Sequence, residues 1–229
     1  MSEEVRKMFS EVAENYDKMN DLFTFNMHNK WKKKLVKLVG AKSGDNVLDC
    51  ASGTGDLAFE FKKVVGANGK VYATDFCMDM LKYVEPKGQK LNLEVHTEFA
   101  DAMNLHYEDN TFDIVSISYG IRNVDDTPTA LKEMARVLKP GGKIAVLETG
   151  QPPKILLPFY NIITKGLLPL LSKIVTGDTS AYKYLADTAS SYPYGKKFTQ
   201  LMSDSGFTQC KSHAQFMGAS FIYIGEVVK

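Results

Sequence analysis

Residues 47–58 read Val-Leu-Asp-Cys-Ala-Ser-Gly-Thr-Gly-Asp-Leu-Ala, and this stretch decides the fold. The short apolar run at its start predicts a buried strand. Gly53 and Gly55 then predict a tight turn, because glycine accepts a positive φ and lets a ligand approach the backbone closely. Apolar residues at helical spacing follow from Leu57. A strand, a glycine turn and a helix in this order form the first unit of a nucleotide-binding α/β fold.

The glycine turn is compatible with two kinds of nucleotide ligand. It satisfies the G-x-G-x-x-A pattern, and Asp75 follows Gly55 by 20 residues, about where a ribose-binding carboxylate belongs. An NAD site would place a pyrophosphate on the helix N-terminus, whereas the carboxylates of Asp49 and Asp56 beside the turn suit a cationic ligand. We therefore favour S-adenosylmethionine (AdoMet) and keep NAD as the alternative. Asp56 can also serve simply as a helix cap with either ligand.

Composition excludes several classes of protein. The chain has 229 residues, 44% of them hydrophobic, and a formal net charge of +1, which argues against a nucleic-acid-binding surface. Its three cysteines are widely spaced and its four histidines are scattered, so we expect neither a disulfide framework nor a metal site. The charged N-terminus lacks the apolar run of a signal peptide, and we therefore expect a cytoplasmic protein.

Strand patterns and helix patterns alternate along the middle of the chain. The predicted strands are 46–50, 70–74, 93–97, 112–118 and 143–148, and the predicted helices between them are 56–65, 77–84 and 127–138. This alternation predicts a mainly parallel α/β sheet with helices on both faces. Two further strands, 209–215 and 220–228, are expected to pair as an antiparallel hairpin and to bring the sheet to seven strands. We expect a single domain over residues 1–229.

Two segments outside the sheet are predicted to cover the site. Residues 1–40 look like a helical N-terminal cap, with a run of lysines that is either merely solvated or in contact with anionic lipid. Residues 151–205 look like a helical insertion over the substrate. Its apolar part, 155–175, is interrupted by Pro158 and Pro169, so it predicts broken helices that cover a pocket, lie on a membrane surface or belong to an ordinary core.

Ligands in open α/β sheets bind beyond the carboxyl ends of the strands. This rule brings together the residues at those ends, Asp49, Asp75, Asp101 and Ser118. Arg122 follows strand 112–118 closely and is therefore expected beside the cofactor. The alternative role of Arg122 is a salt bridge to a nearby aspartate.

Several motifs spread over the chain are typical of one family. They are Met8-Phe9 through Tyr16-Asp17 with Asn20-Asp21, His28 with Trp31, Leu48-Asp49, Gly53-Thr54-Gly55-Asp56, Asp101-Ala102, Gly120-Ile-Arg-Asn-Val124, Arg136 through Gly142, Leu147-Glu148 and Tyr182-Lys-Tyr-Leu185. With these motifs the chain resembles the menaquinone/ubiquinone biosynthesis C-methyltransferases, which are class I, Rossmann-like AdoMet-dependent methyltransferases. The Gly-Ile-Arg-Asn-Val segment is the most specific of them.

The resemblance implies AdoMet as the cofactor and assigns its contacts. Thr54 and the amides of Gly53 and Gly55 would hold the methionine part, and Asp75 would accept the ribose hydroxyls. Asp101 and Ala102 would contact the adenine. Asp49 belongs to the same predicted site, and Ser118 would lie below the methyl-transfer face.

The resemblance also implies the reaction. A methyl group would pass to a ring carbon of a prenylated quinol, of which demethylmenaquinol is preferred and a ubiquinone-pathway benzoquinol is the alternative. Arg122 would stabilise the phenolate, and Tyr16 or a water molecule would relay the proton. The prenyl tail implies transient contact with a membrane surface, such as the inner face of the cell membrane. A homodimer, another lipid-like acceptor and a non-catalytic scaffold stay open.

Overall fold

A seven-stranded sheet forms the centre of the computed structural model, which describes residues 3–162, 166 and 180–228. The strands are β1 (Asn46–Cys50), β2 (Lys70–Asp75), β3 (His96–Phe99), β4 (Phe112–Ser118), β5 (Leu138–Thr149), β6 (Phe207–Gln215) and β7 (Ser220–Val227). Their order across the sheet is β3-β2-β1-β4-β5-β7-β6. The first five strands pair in parallel, and β7 pairs antiparallel with both β5 and β6. The predicted fold class and the terminal hairpin are confirmed.

Helices pack against the sheet and precede it. They are α1 (Glu3–Val12), α2 (Tyr16–Thr24), α3 (Met27–Val39), α4 (Asp56–Val65), α5 (Met78–Leu81), α6 (Val84–Leu91), α7 (Thr127–Val137), α8 (Leu157–Ile162), α9 (Ser180–Ser191) and α10 (Lys196–Asp204). None of the helices in the described ranges is long and apolar enough to cross a membrane.

The apolar core lies on both faces of the sheet. On one face, α3 and α4 bury Leu35 and Phe61 against β1 and β2. On the other face, α7 and α10 bury Leu131 and Phe198 against β4, β5 and β7. The central strands are therefore buried on both sides, which explains why their sequences are nearly continuous apolar runs rather than alternating ones.

Three predicted elements differ from the observed bounds by three residues or more. Strand β5 begins at Leu138 and not at residue 143, since Leu138 already pairs with Phe112 of β4. Strand β3 begins at His96 and not at residue 93, because the Leu93 amide donates to the Gly88 carbonyl oxygen at 3.0 Å and so completes the end of α6. The predicted helix 77–84 is in fact two helices, α5 and α6. Gly88 lies within α6 where a Cβ would come within 2.6 Å of the Leu93 carbonyl oxygen, so this glycine allows close packing and does not end the helix.

The cap and the insertion are only partly described. The first 40 residues contain α1, α2 and α3, in agreement with the helical prediction. The apolar segment 155–175 lies largely outside the described residues; its described part includes α8. The division of the chain into one domain with a cap and an insertion stays a prediction.

Candidate active site

The glycine turn joins β1 to α4 and adopts an unusual backbone. Gly53 and Gly55 have φ values of 58° and 84°, and Ala51 just before them also lies in the left-handed region with φ 46°. A Cβ on Gly55 would come within 3.1 Å of the Val84 methyl groups. The turn therefore needs glycine both for its conformation and for its close contact with α6.

Asp75 lies at the end of β2 beside this turn. Its carboxylate is buried and accepts hydrogen bonds from the backbone amides of Gly53 and Cys77, both at 2.8 Å. Burial raises the pKa of Asp75 to about 6, because the charged form is poorly solvated there. A buried carboxylate fixed by two amides is suited to accept hydrogen bonds from the hydroxyl groups of a ribose.

Asp49 is a second buried carboxylate at the end of the neighbouring strand. The hydroxyl groups of Ser52 and Ser116 each donate to it at 2.6 Å. Burial raises its pKa to about 6, although both serine hydroxyls oppose that change. Asp49 lines a cavity beside the turn, so its carboxylate supplies negative charge to any ligand bound there.

A network of charged groups connects the N-terminal helices to the turn. Lys87 donates to Asp17 and to Asp56, both at 2.6 Å, and Lys32 donates to Asp56 at 2.8 Å. The Thr54 hydroxyl donates to Asp17 at 2.5 Å. This network includes residues from α2, α3, the turn, α4 and α6, and therefore holds the N-terminal helices over the glycine turn.

The network corrects one step of the sequence argument. Burial alone would raise the pKa of Asp56, but Lys32 and Lys87 lower it well below its usual range. Asp56 is thus neutralised by two lysines and does not select a cationic ligand. Asp49, the other carboxylate, accepts its hydrogen bonds from serine hydroxyls and not from a basic side chain. Of the two carboxylates, it is therefore the one that can favour a cationic ligand.

Arg122 lies in a short 3₁₀ turn after β4 and forms a buried ion pair. Its Nη1 donates to Glu148 Oε1 at 2.8 Å, and the two side chains are 5% and 1% exposed. The salt bridge that was expected as the alternative role of Arg122 is present, but its partner is Glu148 and not an aspartate. Four buried polar atoms near this pair have no hydrogen-bond partner among the described residues: Ser118 Oγ, Arg122 Nε, Glu148 Oε2 and Thr149 Oγ1.

A cavity of about 300 Å³ opens between the glycine turn and α2–α3. Its walls combine aromatic side chains with a few polar groups, which is the usual composition of a small-molecule site. The residues from the turn and the strand ends that line it include Asp49, Gly53, Thr54 and Ser118. The residues that line it from other elements include Tyr16, Phe25, His28, Trp31, Arg122 and Phe216.

Tyr16 separates this cavity from a smaller one of about 30 Å³ on the Asp75 side. The smaller cavity lies between Phe9, Tyr16, Gly53 and Met80, and its volume is far below the roughly 300–1,000 Å³ of ligand pockets. The donor and acceptor groups around Asp75 and the glycine turn fit AdoMet. An adenosyl group on that side requires Phe9, Tyr16 or Met80 to move.

The two residues predicted at the adenine lie apart from both cavities. Asp101 and Ala102 follow β3, and the amide of Ala100 donates to the Asp75 carbonyl oxygen at 3.2 Å, so they lie at the same edge of the sheet. Asp101 Oδ1 accepts from the Met103 amide at 2.9 Å. Neither residue lines the two cavities described above.

His28 belongs to one of the family motifs, but the sequence indicated no chemical role for it. Its ring is buried and lines the larger cavity, and Nε2 is 2.9 Å from Asp21 Oδ1. Burial and the charge of Lys32 lower the pKa of His28, despite the opposing effect of Asp21. The imidazole is therefore neutral at pH 7. The Asp–x₆–His spacing on two helices joined by a turn was a signal that could have revealed the pair.

The fold and the glycine-turn site define an AdoMet-dependent methyltransferase. A possible histamine N-methyltransferase of the SAM-dependent class from Thermotoga maritima has the same fold, with a TM-score of 0.69 and 20% identity over 97% of this chain and 99% of that one. The chain belongs to the ubiE/COQ5 methyltransferase family, whose model matches residues 1–226.

Curated relatives agree with this family. The ubiquinone/menaquinone biosynthesis C-methyltransferase UbiE of Bdellovibrio bacteriovorus is 48% identical over 225 residues, which cover 97% of this chain and 95% of that protein. The protein of the same name from Pseudomonas syringae is 38% identical over 98% of this chain and 89% of its own length. The prediction of AdoMet rather than NAD is confirmed by the methyltransferase family to which the chain belongs.

Proposed function

We propose that this protein transfers a methyl group from AdoMet to a ring carbon of a prenylated quinol, with demethylmenaquinol as the preferred acceptor. The observation that carries this proposal is the larger cavity, in which aromatic walls surround Arg122 next to the glycine turn. The names of the relatives support the same acceptor class. A ubiquinone-pathway benzoquinol is the alternative acceptor, since those names include both pathways.

Arg122 is the residue proposed to activate the acceptor. A quinol ring carbon is a weak nucleophile, and it becomes competent when a phenolic oxygen carries negative charge. The guanidinium lines the cavity and is fixed by Glu148 and by the Tyr119 carbonyl oxygen, at 2.8 and 2.7 Å. A cation that is already oriented stabilises the developing phenolate without the cost of reorganisation.

His28 is a better proton acceptor than Tyr16. Burial raises the pKa of Tyr16, so its phenol stays protonated and acts as a hydrogen-bond donor. The neutral His28 ring donates from Nε2 to the Asp21 carboxylate, which leaves Nδ1 as the unprotonated nitrogen. Asp21 also stabilises the imidazolium that forms when a proton is taken up. We assign the general base to His28 and keep Tyr16 as a positioning residue.

The proton balance of the reaction is simple. His28 takes the phenolic proton, and the ring carbon gains the methyl group and then loses its own hydrogen as a proton. The phenolate regains a proton from His28 when the ring is aromatic again, so one proton is released for each methyl group. AdoMet supplies the methyl group on a sulfonium, while the protein aligns the acceptor carbon and excludes water. Alignment of this kind can lower the barrier by about 7–11 kcal/mol.

One assay tests the proposal. The purified protein is incubated with methyl-labelled AdoMet and a short-chain demethylmenaquinol kept reduced, and the product is analysed by mass spectrometry. The oxidised quinone and a benzoquinol are run in parallel. Label on the naphthoquinol alone supports the menaquinone pathway, and label on both quinols supports a dual-substrate enzyme. Absence of label on every acceptor, with AdoMet still bound, would overturn the proposal.

A further inference from the structure

Two turns at the mouth of the larger cavity expose large apolar side chains. Phe25, between α2 and α3, is 76% exposed, while Phe216 and Met217, between β6 and β7, are 58% and 69% exposed. Phe25 and Phe216 both line the cavity. Single exposed apolar residues are common on protein surfaces. Here Phe25 and the neighbouring Phe216 and Met217 come from two distant parts of the chain, and both turns lie at the opening of one cavity.

The backbone at these positions is strained. Phe25, Phe216 and Met217 have φ values of 48°, 40° and 55°, in the left-handed region that bulky residues rarely adopt. A strained conformation persists only when it is held by its surroundings, and it often marks a functional surface. In this case the strain accompanies apolar side chains that point into solvent and not into the core.

Lysines lie next to both turns. A surface groove separate from the cavity runs between α3, α4 and α6, and Phe25, Lys30 and Lys33 line it. The Lys34 ammonium donates to Gln215 Oε1 at 3.0 Å, directly beside Phe216. Helix α3, which carries these lysines, has no acidic residue. Lys30, Lys33 and Lys34 are exposed, and none of them forms an ion pair within the described part of the chain.

The acidic residues that border the same groove are already neutralised. Asp56 is paired with Lys32 and Lys87, as described above, and Glu60 is paired with Lys63 at 2.5 Å. Asp21, which is half-exposed and precedes Phe25 by four residues, is one further acid at this turn, but Lys30 and Lys33 outnumber it. The net charge beside Phe25 is therefore positive. Exposed apolar side chains and exposed lysines that form no ion pair within the described residues therefore lie together around the opening of the cavity.

We propose that this mouth surface, formed by Phe25, Phe216, Met217, Lys30, Lys33 and Lys34, docks on an anionic lipid bilayer. Apolar side chains of this kind enter the boundary between headgroups and acyl chains, and neighbouring lysines bind anionic headgroups. Docking turns the cavity towards the bilayer. This inference rests on the proposed function, since a prenylated acceptor could then enter without crossing water. It assigns the contact to two turns and α3.

Vesicle flotation tests the proposal with the full chain and with neither AdoMet nor acceptor present. Vesicles of phosphatidylcholine alone are compared with vesicles that also contain phosphatidylglycerol. We expect binding to the anionic vesicles only, with an affinity that falls as salt is added. Each lysine near such a surface contributes about fivefold in affinity, so Lys33→Gln should weaken binding about fivefold and Lys30→Gln with Lys33→Gln about 25-fold. Lys70→Gln should change nothing, because Lys70 is exposed at the amino end of β2 and the site lies at the carboxyl end.

The apolar contribution has a closely matched control. Met217 and Val228 are both 69% exposed, but Met217 precedes β7 and Val228 follows it, so they lie at opposite ends of that strand. Asparagine tolerates the left-handed region, so Met217→Asn should fold normally. It should weaken vesicle binding about tenfold, whereas Val228→Asn should not. Equal binding of the wild type to both kinds of vesicle, or equal losses in the two asparagine variants, would overturn the proposal.

The outcome is separable from that of the methylation assay. Vesicle binding without methylation of any quinol leaves the docking surface intact and removes the proposed function. Methylation of a short-chain quinol by a protein that binds no vesicle removes the docking surface and leaves the function.

Discussion

Arg122 donates from one nitrogen, Nη1, to two acceptors, Glu148 Oε1 at 2.8 Å and the Tyr119 carbonyl oxygen at 2.7 Å. The ion pair is closed to solvent on the Glu148 side, where the side chain is 1% exposed. Tyr119 itself has φ 55°, so the carbonyl that holds Arg122 belongs to a strained residue. The position of the guanidinium at the cavity is thus fixed by β5 and by the turn after β4 together.

Replacement of Arg122 tests its role in the reaction. Lysine keeps the charge but has a single nitrogen, which Glu148 and the Tyr119 carbonyl oxygen would occupy, so no second oriented donor such as Arg122 Nε would remain for the acceptor. We expect Arg122→Lys to lower kcat by about 10²–10³-fold, the usual effect of removing one oriented donor from a developing anion. The dissociation constant of AdoMet, measured by calorimetry, should stay within about twofold. Near-normal kcat would exclude the role, and loss of AdoMet binding would make Arg122 structural.

Glu148 should act as a positioning residue for Arg122. Glu148→Gln leaves the buried guanidinium without a counter-charge, which typically costs about 3–5 kcal/mol in the free energy of unfolding. The double variant Arg122→Met with Glu148→Gln should recover much of that loss and remain inactive. Urea unfolding of the two single variants and the double variant measures the coupling. Simple additivity of the three values would contradict a specific pair.

The glycine turn shows how much of this site was predictable from sequence. Strand β1, Gly53, Gly55 and the position of Asp75 follow from local patterns, because a buried strand and a glycine turn each depend on short stretches of chain. The parallel sheet followed from the alternation of those patterns. These features were sufficient to predict that the carboxyl ends of the parallel strands, with Asp49 and Asp75, lie at one side of the sheet.

Contacts between distant segments were not predictable in the same way. The partner of Arg122 is 26 residues away, and Lys87 reaches Asp17 across 70 residues. No local pattern distinguishes Glu148 from any other acid, or a lysine that neutralises Asp56 from one that is solvated. The same limit applies to β3, where Leu93 satisfies a strand pattern but completes the end of α6.

The pair formed by Asp21 and His28 should control the acid limb of the pH profile. His28→Asn should lower kcat by about 10²–10⁴-fold, the range for loss of a general acid or base. Asp21→Asn removes a negative charge that raises the pKa of His28, so the acid limb should move to lower pH and kcat should fall. His106→Asn is the control, since His106 is half-exposed and pairs with Glu98 on the surface at 3.1 Å. Unchanged profiles in both test variants would remove His28 from the mechanism.

Asp75 should give AdoMet affinity and protein stability opposite pH dependences. Protonation below its pKa of about 6 removes the acceptor for the ribose hydroxyls, so the affinity should fall about tenfold for each pH unit below that value. The folded pKa lies above the ordinary value of 3.8, so the folded state binds the extra proton and the free energy of unfolding rises as pH falls from about 6 to about 4.

The Asp75→Asn variant separates these two effects. It should bind AdoMet weakly at every pH, while the rise in stability should persist in part because Asp49 also has a raised pKa of about 6. Calorimetric titration and urea unfolding across this pH range provide the two measurements. An AdoMet affinity in the wild type that does not change between pH 7 and pH 5 would show that Asp75 does not bind the ribose as a carboxylate.

The N-terminal helices should open when AdoMet binds. Only about 30 Å³ lies between Tyr16 and Asp75, and Asp17 holds α2 in place through Thr54 at 2.5 Å and Lys87 at 2.6 Å. Lys87→Met removes a hydrogen bond between charged groups, which is worth about 1.5–3 kcal/mol. The association rate of AdoMet, measured by stopped flow, should therefore rise about tenfold or more. Lys82→Met, which breaks an exposed pair with Asp79, should leave that rate unchanged. If both variants bind AdoMet at the wild-type rate, α2 does not limit entry of the cofactor.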